Sequence, residues 1–183
     1  MVVNSFEFPI LTNFRYSLDL KNLRQKGGVI EFVKRVYTQY IPGYIYWPPE
    51  IHLLSYILTN KLSSLSQTNV ETVIKDIGCM KKDNSVVSYF FKYVNQDFDY
   101  IITDILRFSG TWDQYALGQC YLTLIQGLQK NIKTSNKFVV MFLELLQETV
   151  HMVPSMRPTV SNTLAKFQQI IDDVDIADFL KLL

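Results

Sequence analysis

Trp112-Asp113-Gln114-Tyr115-Ala116-Leu117-Gly118-Gln119-Cys120-Tyr121-Leu122-Thr123-Leu124-Ile125-Gln126-Gly127-Leu128 is the stretch on which the fold turns. Tyr115, Leu117, Tyr121, Leu122, Leu124, Ile125 and Leu128 recur through it at helical spacing without keeping to one face. A helix whose apolar residues wrap most of its circumference is one that neighbours cover on several sides. The spacing therefore predicts a helix over about 112–128 in the middle of the domain.

Its neighbours read outward in both directions. Upstream, Phe98, Ile101, Ile102, Ile105 and Leu106 form a helical stripe that Ser109-Gly110 closes. Ser85 to Asn95 is apolar and aromatic and reads as helix, with strand as the rival. Asn69 can cap a helix with Glu71 in its first turn and Val70, Val73, Ile74 and Ile77 on one stripe, ended by Gly78. Pro48-Pro49 cannot lie inside a helix but can open one, and Glu50 to Leu58 follows. A further helical stripe, Val29 to Tyr40, stops at Pro42-Gly43, and Phe6 to Ile10 reads as a short strand limited by Pro9. Downstream, Ser135 can cap a helix carrying Phe138, Val139, Phe142, Leu143, Leu146 and Val150. Pro158 sits at the start of another, with Leu164, Phe167, Ile170 and Ile171. The acidic turn Asp172-Asp173-Val174-Asp175 leads to a last helix with Ile176, Phe179, Leu180 and Leu183. The class is mainly α, in one domain.

Composition bounds the function. The 183 residues are 48% hydrophobic and 19% charged, enough apolar surface to offset the entropy of ordering. The formal net charge of +1, with no long block of one sign, gives no sign of a nucleic-acid surface. No apolar run approaches the roughly 18 residues of a membrane span, and the start carries Glu7 and Pro9 rather than a basic-then-apolar signal. Cys79 and Cys120 lack paired spacing and read as buried free thiols in a reducing compartment. With two histidines and two cysteines, all dispersed, a zinc site has almost no material. Asp172, Asp173 and Asp175 lack the ladder and glycine of a calcium loop and read as a solvated helix cap. A soluble intracellular protein is the expectation.

Three short segments stand out against this background: Tyr46-Trp47-Pro48-Pro49-Glu50, Trp112 to Gly118, and Pro154-Ser155-Met156-Arg157-Pro158-Thr159. Each has a plain local reading. The prolines open a helix, Asp113 sits near a helix N-terminus where the dipole favours it, and Arg157 is a solvated surface arginine.

In this order, however, the three resemble landmarks in the C-terminal lobe of a eukaryotic-type protein kinase. Pro48-Pro49-Glu50 resembles the Ala-Pro-Glu that ends the activation segment, with Pro48 in the alanine place. The aromatic approach from Tyr44 to Trp47 resembles the segment that lines a peptide substrate. Asp113, Tyr115, Ala116 and Gly118 resemble the Asp-x-Trp/Tyr-Ser-x-Gly that starts the lobe's buried helix. The resemblance implies that Asp113 accepts hydrogen bonds from a catalytic-loop backbone. Arg157-Pro158-Thr159 resembles the family's Arg-Pro-Thr/Ser. It implies a buried ion pair between Arg157 and Glu50, with Thr159 capping the helix that follows. Residues 51 to 112 separate the first two landmarks, far more than the ordinary kinase connection, so the resemblance implies an inserted helical segment at about 59–111. The chain is similar in this to divergent kinase-like proteins of large nucleocytoplasmic DNA viruses. The implied layout is a divergent N-terminal part at 1–40, an activation-segment-like end at 41–58, the insertion, and C-terminal helices at 112–183.

The catalytic parts of such an enzyme are missing from the sequence. Phosphoryl transfer needs a Gly-rich loop, a strand lysine, a catalytic-loop Asp and Asn, and a metal-binding Asp. No G-x-G-x-x-G, His-Arg-Asp or Asp-Phe-Gly occurs; Ser17-Leu18-Asp19-Leu20-Lys21-Asn22 holds the one segment, at Asp19, that could be a degraded metal site. Two functions follow as expectations. The first is a kinase-like lobe without catalysis that binds a protein partner or has a structural role, in a virion or host cytoplasm if viral. It would need no cofactor and would carry a large apolar patch. The second is a Ser/Thr or Tyr kinase, using ATP and Mg, whose N-lobe and catalytic loop lie outside this chain. The chain as given opens at Met1 without those parts, which favours the first.

Overall fold

Pro48 and Pro49 set where the first helix of the main unit begins. The structure is a computed structural model, and the residues it describes are 2–3, 9–10, 33, 39–78, 84–128 and 136–173. The chain divides into two compact units, Met1–Val36 and Tyr37–Leu183, where the sequence reads as one domain. In the first unit, β1 (Val2–Val3) pairs antiparallel with β2 (Pro9–Ile10), Val2 opposite Ile10. Of the expected strand over Phe6–Ile10, Pro9 and Ile10 are strand and Phe6–Phe8 lie outside the described residues. The expected Val29–Tyr40 helix lies outside the described residues except at Val33, Gln39 and Tyr40, as does Asp19.

The described residues of the second unit hold seven α-helices. These are α1 (Pro49–Thr59), α2 (Gln67–Asp76), α3 (Asn84–Phe91), α4 (Phe98–Leu106), α5 (Trp112–Leu128), α6 (Lys137–Thr149) and α7 (Val160–Asp173). They are the expected helices, mostly within a residue or two; of Ser85–Asn95, the part to Phe91 is helix rather than strand, and Lys92–Asn95 leave it as a turn. Two caps differ from expectation. Ser66, not Asn69, caps α2: its hydroxyl accepts from Asn69 N (3.2 Å), while Asn69 Oδ1 accepts from Ser66 N (3.0 Å). Asn69 is thus the third-residue half of a reciprocal capping box, which satisfies two donors where a lone cap satisfies one. Asn136 caps α6 through Val139 N; Ser135 lies outside the described residues.

The helices form two groups. α1 packs on α2 and α4, and α2 on α3; α6 packs on both α5 and α7. The first group holds most of the buried apolar side chains, among them Ile51, Leu53, Leu54, Ile57, Val70, Val73, Phe90, Tyr93, Ile101, Ile102 and Ile105. Much of the core thus comes from 59–111, the segment the resemblance treats as an insertion. Backbone bonds from Asn95 N to Leu65 O and from Phe98 N to Ser63 O pin the α1–α2 loop to the α3–α4 loop. The left-handed φ of Asn95 (61°) makes that turn.

The expected centrality of α5 is corrected. Trp112, Tyr115 and Gly118 are buried, but Leu117 is 56% and Leu124 55% exposed, and Tyr121 is also exposed. Among the described residues α6 is the helix that packs most along α5, and it leaves Leu117, Tyr121 and Leu124 exposed. Cys120, expected to be buried, is exposed and free; Cys79 lies outside the described residues. Among the described residues no helix is long and apolar enough to cross a membrane.

Candidate functional site

Where the two helical groups meet, one residue from each landmark comes together: Glu50, Trp112 and Arg157. Pro48 takes the extended conformation before α1 (φ −65°, ψ 154°), Pro49 occupies the first turn, and Glu50 follows it. This places the Glu50 carboxylate at the positive end of the helix dipole. From the other side, a 3-10 turn at Pro154–Met156 ends in an extended Arg157. The guanidinium meets the carboxylate in a fork. Arg157 Nη1 donates to Glu50 Oε1 at 2.6 Å and Nη2 to Oε2 at 2.9 Å, and both side chains are fully buried.

The rest of the fork is also satisfied. Arg157 Nε donates to the His151 carbonyl (2.7 Å), and Nη1 also reaches Thr111 Oγ1 (3.2 Å). The guanidinium lies over the Tyr115 ring, 4.8 Å from its centroid. Glu50 Oε1 accepts a second bond from the Trp112 indole N–H at 3.0 Å. Such bidentate, charge-assisted bonding is what an ion pair needs to offset the loss of water from both charges. The cluster links α1, the start of α5 and the strand-like approach to α7, so it ties one helical group to the other.

The remaining landmark positions are placed as follows. Trp47 is buried, packed edge-on against Tyr44 (5.4 Å) and His52 (5.7 Å). Thr159 Oγ1 accepts from Asn162 N (3.2 Å), the geometry of a helix cap. Gly118 sits where α5 comes closest to α6: a Cβ there would stand 2.5 Å from Thr149 Oγ1 and 2.7 Å from Val150 Cγ1. Asp113, by contrast, is exposed on the first turn of α5, and among the described residues nothing donates to its carboxylate. It stands apart from the Glu50–Arg157 cluster, and only the local dipole reading has an observation behind it.

Sequence reasoning missed four participants. Trp112 and Thr111 were legible in part, because a buried indole N–H needs an acceptor and few remain near a helix start. Tyr115 was assigned to the buried helix but not to a cation. His52 carried no signal at all. It is buried on α1, its Nε2 lies 3.1 Å from the Tyr44 carbonyl, and among the described residues its Nδ1 has no partner. Burial lowers its pKa below the usual histidine range, against the opposing pull of the Tyr44 carbonyl and the Asp76 charge. The ring is therefore neutral, with Nε2–H as donor.

A second polar cluster lies in the first helical group. Tyr93 donates to Asp104 Oδ2 (2.9 Å), Tyr89 and Tyr93 share a hydroxyl bond (3.0 Å), and Lys92 Nζ meets Asp104 at 2.7 Å. Burial alone would raise Asp104, but the bonds from Lys92 and Tyr93 and the Lys92 and Arg107 charges hold it below its ordinary range. Burial, first of all, pushes the Tyr89 and Tyr93 hydroxyls well above the usual phenol range, so both stay neutral donors.

The second helical group carries an open apolar groove of about 340 Å³. α6 forms its floor through Phe142, Leu145, Leu146 and Thr149; α5 and α7 form its walls through Leu117, Tyr121, Leu164 and Phe167. Among the described residues there is no cluster of three or more metal-ligating side chains. Comparison with protein-family models, with curated proteins and with solved structures finds no match. The kinase resemblance thus rests on the three segments and on the side chains they bring together.

Proposed function

We propose that this chain is a kinase-C-lobe-like protein that works by binding rather than by catalysis. The observation that supports the reading is the fork between Glu50 of Pro-Pro-Glu and Arg157 of Arg-Pro-Thr, two residues 107 positions apart. The resemblance implies that pair from the two sequence motifs alone. The second support is the pattern of the sequence, which keeps the structural landmarks and lacks the phosphate-gripping and proton-handling motifs. The apolar groove offers a surface for a protein partner, in the manner of a helix laid into a groove. A role in a virus particle or its assembly extends the same proposal.

Thermal unfolding with and without Mg-ATP tests it. A ligand at a hundred times its Kd stabilises the folded state by about 2.7 kcal/mol, an easily read shift. The proposal expects no magnesium-dependent shift. A reproducible one would replace it with the alternative, a kinase completed by parts outside this chain.

A further inference from the structure

The stretch 39–47, just before α1, is an irregular strap laid on the first helical group. Near its start, the Tyr40 hydroxyl donates to Asp76 Oδ2 on α2 at 2.9 Å. In its middle, the Tyr44 carbonyl accepts from His52 Nε2 on α1 at 3.1 Å. At its end, the Trp47 ring packs edge-on against the His52 ring. Two of its backbone bonds turn back within it, Tyr44 N to the Ile41 carbonyl (3.4 Å) and Trp47 N to the Tyr44 carbonyl (3.0 Å). Gly43 makes the first of these turns with a left-handed φ of 68°, a conformation glycine takes at no steric cost. Under the strap lies a small pocket of about 140 Å³. Tyr44 and Trp47 line it from the strap; His52, Tyr115 and Met152 line it from α1, α5 and the loop after α6.

His52 is the titratable fastening of this strap. Its Nε2–H is committed to Tyr44, and among the described residues its buried Nδ1 has no partner. A proton arriving from solvent at Nδ1 would give the ring a second N–H and a full charge, with no acceptor in place for that N–H. The titratable groups around the ring are Tyr40 and Tyr44 on the strap, Asp76 on α2, Tyr115 on α5, and Glu50 and Tyr56 on its own helix. Of these, Glu50 is bound by Arg157, and Asp76, whose charge favours a protonated ring, is bonded by Tyr40. We propose that 39–47 is a pH-gated cover: proton uptake by His52 releases the Tyr44 carbonyl, the strap swings at Gly43, and the pocket beneath it opens. Closed, burial keeps the ring neutral. Open to water, the ring regains its ordinary pKa of about 6.5. The open form thus binds the proton more tightly. Acid favours opening from about pH 6.5 down to the closed-state value, by up to about tenfold per pH unit. This inference is independent of the kinase reading, since it uses none of the Glu50–Arg157 bonds.

Native-state hydrogen exchange in the full chain tests it, read at the Tyr44 and Trp47 amides at pH 7.5 and pH 5.0 and corrected for intrinsic rates. The opening constant is expected to rise several-fold at the lower pH, with a ceiling of about 30-fold set by the ordinary histidine pKa. Low urea should leave this opening unchanged, as it does for a local event, while the Leu53 and Ile102 amides exchange only through larger, urea-sensitive openings. His52→Gln, which can still donate to Tyr44 but does not titrate, and His52→Phe are each expected to abolish the rise. Equal opening at the two pH values would overturn the proposal. So would a rise that survives in either variant, or one that the Leu53 and Ile102 amides share with the same urea dependence.

Discussion

The two helical groups of the main unit use their apolar residues differently. α1 to α4 bury theirs: Leu53, Val70, Val73, Phe90, Ile101, Ile102 and Ile105 are inaccessible to solvent. α5 to α7 expose Leu117, Tyr121, Leu124, Val140, Val160, Leu164 and Ile171, and bury only a thin layer against α6. The first group is a core built for stability; the second is a surface with unspent apolar area, of the kind that marks an interaction site. The Glu50–Arg157 fork lies between them, anchored in α1 on one side and beside α5 and α7 on the other. The contrast teaches that a buried ion pair ties a well-covered group of helices to one that leaves apolar side chains exposed.

Breaking the joint should have the largest effect. Arg157→Met leaves Glu50 buried with only the Trp112 indole, and Glu50→Gln removes the charge that Arg157 needs. Each is expected to destabilise by about 3–5 kcal/mol, read as a drop in urea midpoint. Next comes the contact that closes α5 on α6. Gly118→Ala sets a methyl against Thr149 and Val150, and should cost about 1–3 kcal/mol while leaving α1 to α4 intact. Loss of amide protection confined to α5–α7, followed by hydrogen exchange, would sharpen the contrast; loss spread evenly over all seven helices would erase it.

Smaller effects probe the first group alone. His52 is held neutral in the fold, below its unfolded pKa of about 6.5. Stability from this group is fully present above that pH and declines as pH falls from about 6.5 toward the folded value, because the unfolded chain takes up a proton that the fold refuses. His52→Phe should flatten the slope of stability against pH below about 6.5. An unchanged slope would mean that another group titrates there. Ser66→Ala should cost about 1 kcal/mol, since it opens the capping box of α2.

Much of the fold was legible because helices announce themselves by period and by their stops. Pro48-Pro49, Gly78 and Ser109-Gly110 bound their helices as the sequence reads them. Caps were less legible: Ser66 and Asn69 are both good caps, and only the reciprocal bonding decides which one begins the helix. The position of α5 was misread for a physical reason. Apolar residues all round a helix state that its surface needs covering, but not what covers it. Leu117 faces a groove and Leu124 is exposed. The ion pair was legible through a resemblance alone, for no local pattern connects Glu50 with Arg157. Trp112, Tyr115 and Thr111 were legible in part at most, because their roles depend on how the 3-10 turn at Ser109–Thr111 and the start of α5 aim them at a point set by another helix.

The central claim is that Glu50 and Arg157 act as one unit joining the two groups. A double-mutant cycle on Glu50→Gln and Arg157→Met, read by urea unfolding, tests it most directly. The account predicts that the double variant is less destabilised than the two single losses combined, with a coupling toward the upper end of the ~0.5–3 kcal/mol seen for residues in contact. Additivity within about 0.3–0.5 kcal/mol would contradict it, and with it the kinship drawn from those two segments.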